Sequence, residues 1–141
     1  VEVRADHVAQ YRDICGFDVK RNDTPVTYPY LLIFPIQALL LVDPSFPFQA
    51  MGLVHLANRI KQFGAVKAGS KVTVSARFDK TVVPHAKGYC FNVISELHSS
   101  EGLLLWRCEA TYLFRSRNTS LVDSSVPAYA SKLSDSDVAG L

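Results

Sequence analysis

Seventeen consecutive residues, Val26 to Val42 (VTYPYLLIFPIQALLLV), carry no charge, and they constrain this chain more than any other feature. A helix with one apolar stripe can lie on a surface, whereas one that is apolar on every side must be covered. The segment is at the short end for a membrane span. It holds Pro29, Pro35 and Gln37, and acidic residues bracket it (Asp23 and Asp43), with no Lys or Arg at its immediate flanks. That pattern is poor positive-inside grammar, so the reading is a buried helix and no membrane span. Pro29 suits a first helical turn, and Pro35 predicts a kink or an interrupted start.

The covering layer is legible downstream. Lys71 to Asp79 alternates, with Val72, Val74, Ala76 and Phe78 on one side. Gly88 to His98 places Tyr89, Phe91, Val93 and Leu97 together. Leu103 to Arg115 does the same with Leu104, Trp106, Cys108, Ala110, Tyr112 and Phe114. Gly52 to Phe63 reads with Val54, Leu56 and Ile60 facing inward and His55, Arg59 and Lys61 outward. Such a period of two marks strands with one buried face. Turns are expected at Val66–Gly69 and Ser99–Gly102, and a longer loop at Thr81–Lys87. Ala5 to Cys15 forms a short helix closed by Gly16, with Ala5, Val8, Tyr11 and Cys15 on one face. The fold class is therefore α+β: a long central apolar helix wrapped by a curved antiparallel sheet. One domain spans residues 1–115, and residues 116–141, with seven serines, read as a linker or tail.

Composition excludes some functions. The 141 residues carry 15 Lys and Arg against 13 Asp and Glu, a net charge of +2 with no basic run, so no nucleic-acid partner is expected. Cys15, Cys90 and Cys108 are odd in number and unpatterned, which suits buried free thiols in a cytoplasmic protein and no metal site. The first residues lack both a starting Met and a leader pattern, as expected for a piece of a longer chain.

The run from Phe46 to Ile60, then Val66 to Val74, preceded by Thr27-Tyr28-Pro29-Tyr30, resembles the MaoC-like acyl dehydratases and (R)-specific enoyl-CoA hydratases over about residues 5 to 115. The resemblance implies the hot-dog fold and the interconversion of trans-2-enoyl and 3-hydroxyacyl thioesters. It implies no separate cofactor, coenzyme A entering as part of the substrate, and dimeric partnership of two hot-dog units. The family's catalytic loop resembles G-D-x-N-P-x-H, whose Asp and His act together as acid and base. The corresponding stretch, Cys15 to Pro25, contains Asp18 and Asp23 but no His, and none occurs between His7 and His55. Asp18 reads as a solvated loop residue, and no catalytic residue is assigned. The chain then resembles the non-catalytic N-terminal half of a tandem protein, accommodating an acyl-CoA or other acyl-thioester ligand while packing on a catalytic hot-dog.

Candidate substrate-binding residues are Tyr30, Phe34, Gln37, His55 and Arg59. Tyr30 and Phe34, with Tyr28, are placed to border an acyl tunnel or to pack in the core. Gln37, the one polar side chain of the apolar helix, must bond locally or line a pocket. His55 and Arg59, with Lys61 and Lys67, are candidates for the thioester and the coenzyme A phosphates. Two alternatives stand beside this reading. One is a hot-dog acyl-CoA thioesterase, for which Asp43 is the available acid. The other is a non-enzymatic lipid-binding or dimerisation module.

Overall fold

The computed structural model describes residues 1–18 and 20–116. The expected tail lies almost wholly outside the described residues. Helix α1 spans Ala5–Cys15 and helix α2 Pro29–Val42, and four strands follow: β1 Leu53–Gln62, β2 Val72–His85, β3 Gly88–Ser99 and β4 Leu104–Arg115. They form one antiparallel sheet in the order β1-β4-β3-β2, against one face of which α2 packs through β2 and β3. No helix among the described residues is long and apolar enough to cross a membrane.

Helix α1 ends where glycine permits it. Gly16 adopts a left-handed conformation (φ 71°) and its N–H returns to Asp13. The helix buries Val8 and Arg12, whereas Cys15 is exposed. The expected face is thus corrected at both ends, Ala5 also being exposed, and of the three thiols only that of Cys108 is fully buried. Pro29 occupies the first turn of α2, and the helix continues through Pro35 without interruption. A proline there leaves the Leu31 carbonyl without its helical donor, which an exposed position tolerates because water can replace it.

The sheet does not enclose α2. Pro29, Ile33, Gln37 and Leu40 are buried, while Leu31 (44%), Phe34 (53%), Leu39 (51%) and Val42 (64%) are exposed. A single sheet covers one side of a cylinder here, so a helix apolar all round keeps an open apolar stripe unless something else packs on it.

The strand alternation holds for β3, for β2 over Val72 to Phe78 and for β4 from Trp106 on. A register shift pairs Leu104 with outward His98 and leaves Leu105 against the core, and β1 is corrected too. In β1 the register jumps between His55, opposite Tyr112, and Ala57, opposite Thr111. The extra residue, Leu56, switches parity along the strand. His55 therefore shares its face with inward Tyr112, Asn58 and Ile60 lie opposite inward Ala110 and Cys108, and Arg59 falls on the other face. In β2 the irregularity at Asp79–Thr81 preserves parity, Phe78 opposing Val93 and Val82 opposing Phe91, so the strand runs on where a loop was expected. Pro84 is acceptable there because β2 is an edge strand, where one missing N–H breaks no central ladder.

The core is a continuous apolar layer. Trp106 is fully buried and gives its indole N–H to the Val26 carbonyl (2.7 Å), tying β4 to the start of α2. Beyond the other end of α2, Phe46 and Phe48 fold back onto the sheet. Phe46 stacks on Phe78 (4.9 Å) and Phe48 on Phe114 (4.7 Å). At the β2–β3 hairpin a Cβ on Gly88 (φ 143°) would stand 2.0 Å from the Phe114 carbonyl oxygen, whereas at Gly69 (φ 83°) nothing lies within 4 Å. Gly88→Ala is expected to cost about 3 kcal/mol and Gly69→Ala about 1 kcal/mol, measured by urea unfolding.

Candidate functional site

Gln37 is the centre of a polar cluster under the helix. Its side chain is fully buried, and a buried amide must be paired on both ends. Nε2 donates to Ser95 Oγ on β3 (2.7 Å), while Oε1 accepts from the Tyr30 hydroxyl (3.1 Å) and from that of Tyr112 on β4 (3.4 Å). Of the two readings open in the sequence, Gln37 thus takes a third: it bonds not local backbone but side chains, Tyr30 on its own helix and Ser95 and Tyr112 on the sheet. Burial, first, and the neighbouring Tyr30 hydroxyl, second, push the Tyr112 phenol up, so it is neutral at any physiological pH.

His55 joins this cluster from β1. Its ring stacks on Tyr112 (4.8 Å between centroids, 18°) and lies near-parallel to Tyr30 (6.4 Å, 14°). Nε2 stands 2.9 Å from Asn58 Oδ1 and 3.2 Å from the Ala57 carbonyl oxygen. Asn58 Oδ1 also accepts from the Cys108 thiol (3.5 Å), whose pKa burial raises to about 11. Tyr30, Gln37 and His55 are thus brought together, with Tyr112, Ser95 and Asn58 as members that the sequence reading missed. Strict alternation could have found Ser95 and Tyr112, which share the inward face. Asn58 was hidden by the bulge.

Two candidates separate from the others. Phe34 touches Tyr30 (6.2 Å) but sits on the open stripe of α2, half exposed. Arg59 lies on the opposite face of the sheet, bound to Glu109 (3.1 Å) in an ionic ladder that continues through Arg107 and Glu96 to Arg77. The bulge at Leu56 turns it away from Gln37, and the expectation of a shared site is corrected. Lys61 rests over the Phe63 ring (4.9 Å). A hollow of about 350 Å³, lined by Asp79, Thr81, Cys90, Asn92 and Thr111 among others, opens at the β2 irregularity away from Gln37.

The loop between the helices is held by Arg12. This buried guanidinium donates to the Asp18 carbonyl oxygen (2.6 Å) and to the carbonyl and carboxylate oxygens of Asp23. Arg12 Nε and Thr24 Oγ1 are buried without a partner. The Asp18 carboxylate accepts from the Lys20 N–H (2.9 Å), as a turn-forming aspartate does. Thr27 Oγ1 bonds the Tyr11 hydroxyl (2.8 Å). The histidines have other partners: His7 meets the Tyr28 hydroxyl (3.4 Å), and His85 accepts from the Lys87 N–H (3.2 Å). Among the described residues no group of three or more His, Cys, Asp or Glu side chains could hold a metal.

No family model matches the chain. It is 30% identical over 113 residues to the 3-hydroxyacyl-thioester dehydratase X of Mycobacterium tuberculosis, a match covering 80% of this chain and 39% of that protein. The crystal structure of that dehydratase superposes with a TM-score of 0.71 at 28% identity, covering 82% of this chain and 49% of the other. This chain is a hot-dog domain of the hydratase/dehydratase family. It spans less than half the length of that curated relative. The same fold is shared with the C-terminally truncated 3R-hydroxyacyl-ACP dehydratase complex of M. tuberculosis (TM-score 0.66, 15% identity, 80% of this chain and 88% of the other). It is shared too with the (R)-hydratase of A. caviae (0.58, 16%, 81% and 89%).

Two outcomes follow from this geometry. Gln37→Leu strands the Ser95 hydroxyl and is expected to cost about 2 kcal/mol, part of which Gln37→Leu with Ser95→Ala recovers, as a urea-unfolding double-mutant cycle would show. Hydrogen bonding from Arg21, then its charge and that of Arg12, holds Asp23 down to about 2 from its ordinary 3.8. Its stabilisation is complete above about pH 4 and is lost as pH falls through about 2. Asp23→Asn is expected to flatten the fall in unfolding midpoint between those values.

Proposed function

We propose that this hot-dog is the non-catalytic half of an enoyl-thioester hydratase or 3-hydroxyacyl-thioester dehydratase, accommodating the acyl chain and packing on a catalytic hot-dog. The observation that carries the reading lies just before α2. When Pro25 is aligned with the proline of G-D-x-N-P-x-H, Asn22 takes the place of the Asp and Thr27 that of the His. Thr27 is engaged by Tyr11 instead of facing a substrate. Hydration requires an acid and a base converging on neighbouring carbons, and nothing at this position can supply the pair. The carboxylates nearby are committed, Asp23 to Arg12 and Arg21 and Asp18 to its own turn.

The partner is argued from the surface. Strand β1 ends the sheet with one neighbour, β4, and so presents an unpaired edge. On α2 lies the open stripe of Leu31, Phe34, Leu39 and Val42, which meets the β1 side only near its start, where Tyr30 stands between Phe34 and His55. An apolar stripe and a strand edge together fit a second helix-on-sheet unit better than they fit water. The dehydratase relative has length for a second domain, as this chain covers 39% of it. The acyl chain would lie on apolar surface at that junction, since acyl sites are apolar concavities.

The thioesterase alternative depends on Asp43. Its carboxylate accepts from both the backbone N–H and the hydroxyl of Ser45, and these bonds lower its pKa and close the turn after α2. An acid committed to a turn is poorly placed to activate water.

The test is absorbance at the enoyl-thioester band with crotonyl-CoA and a long-chain trans-2-enoyl-CoA. Residues 1–141 alone are expected to bind the long-chain substrate without turnover. Adding the catalytic hot-dog, in the same chain or as a separate one, is expected to raise the rate by more than about 100-fold, the scale of acid–base catalysis. Turnover by residues 1–141 alone that Asp18→Ala abolishes would overturn the proposal.

A further inference from the structure

His55 and Asn58 are the members of the Gln37 cluster that are exposed, and the surroundings of His55 specify which hydrogen bond it can offer. The Ala57 carbonyl oxygen can only accept, so the nitrogen facing it, Nε2, carries the proton. The Asn58 amide is oriented the same way, because its Oδ1 receives the Cys108 thiol as well as Nε2–H. In the neutral ring Nδ1 is then left with its lone pair. Stacking on Tyr112 below and Tyr30 beside fixes the ring plane, so the lone pair has a defined direction. The two tyrosines cannot substitute as donors on this side, since each gives its hydroxyl hydrogen to Gln37 Oε1. At His55 the group on offer is therefore an acceptor, and a ligand that bonds the histidine must bring a donor.

We infer that His55 contacts the substrate of the assembled enzyme, its Nδ1 accepting a hydrogen bond from an amide N–H of the pantetheine arm that carries the acyl thioester, an inference that rests on the role proposed above. The donor is identified by elimination among the parts of such a substrate. The acyl tail has none, and an enoyl group has none. A 3-hydroxyl has one, but it belongs at the reacting carbons. The carrier arm has two amides and, beyond both, one hydroxyl at its phosphate end. The amides are the donors nearest the thioester, on the part that stays near solvent while the tail is buried, as His55 does while Gln37 is buried. The arm is common to coenzyme A and to acyl carrier protein, so the contact reads the carrier's chemistry and not its protein. His55 also stands on the edge strand, one ring away from the open stripe of α2, since Tyr30 lies between it and Phe34.

The experiment is steady-state hydration by the full-length protein of two substrates that lack a 3-hydroxyl: crotonyl-CoA, and S-ethyl thiocrotonate, whose arm has neither the amides nor the pantoyl hydroxyl. His55→Phe keeps the stacked ring and removes the acceptor. It is expected to raise KM for crotonyl-CoA about fivefold to tenfold, the scale of one neutral hydrogen bond. The kcat should hold within about twofold, and kcat/KM for the ethyl thioester should be unchanged. Crotonyl pantetheine should behave as crotonyl-CoA does, and crotonyl-CoA alone responding would assign the contact to the nucleotide end and overturn the inference. Asn58→Ala, which frees the ring without removing Nδ1, is expected to give a smaller KM effect with the same substrate selectivity. Equal losses with both thioesters would mark His55 as structural, and no loss would exclude the contact; either overturns the inference and leaves the hydratase role standing. A wild-type protein that turns over neither thioester overturns both.

Discussion

A helix that is apolar on every side has no preferred rotation about its own axis, and in α2 one amide supplies it. Gln37 costs free energy wherever its amide is buried unpaired, and the inward hydroxyls of Ser95 and Tyr112 are where the sheet can pair it. Turning Gln37 inward brings Ile33 and Leu40 inward with it and leaves Leu31, Phe34, Leu39 and Val42 outside. The apolar face that the helix shows to a partner is thus a consequence of where one polar residue must go. Hydrophobic burial drives the helix onto the sheet without direction, and the hydrogen bonds give it one.

The same choice organises the functional surface. With Gln37 inward, Tyr30 reaches it from the helix and Tyr112 from β4, and the two rings frame His55. That histidine arrives only because β1 carries one extra residue at Leu56. The bulge sorts the polar residues of the strand, sending His55 and Asn58 toward the helix and Arg59 to Glu109 on the far side. On that far side the charges are spent on one another across all four strands, from Arg77 to Arg59. Exposed pairs of this kind add little stability each, but they keep the outer face polar while the helix side stays apolar. The two faces of the sheet are consequently suited to different neighbours, water on one and the apolar helix on the other.

Much of this was legible before any coordinates. Both helices, the buried faces of β3 and β4, and the turns at Gly69 and Gly102 follow from local rules: a period of two or 3.6, a proline in a first turn, a glycine where φ is positive. Part of the candidate site was legible too, because a lone Gln in seventeen apolar residues and an aromatic-rich helix start are conspicuous. What failed was anything that depends on counting through an irregularity. Alternation read straight through Leu56 puts His55 and Arg59 together, and one inserted residue reverses that. The segment Thr81 to Lys87, with Pro84 inside it, reads as a loop, while β2 runs through it because an edge strand tolerates one missing N–H.

The sequence alone therefore determined that one apolar helix must lie against an antiparallel sheet, and that the loop before it lacks the histidine of an acid–base pair. Both are properties of composition and spacing, which no packing arrangement can change. Only the tertiary structure decided that β1, though next to β2 in the chain, pairs with β4, that the sheet covers one side of the helix, and that Gln37, Tyr112 and His55 meet. These depend on strand order, register and the rotation of α2. Each is set by contacts between residues up to 75 positions apart, where hydrogen-bond pairing and packing geometry act and local propensity carries no information.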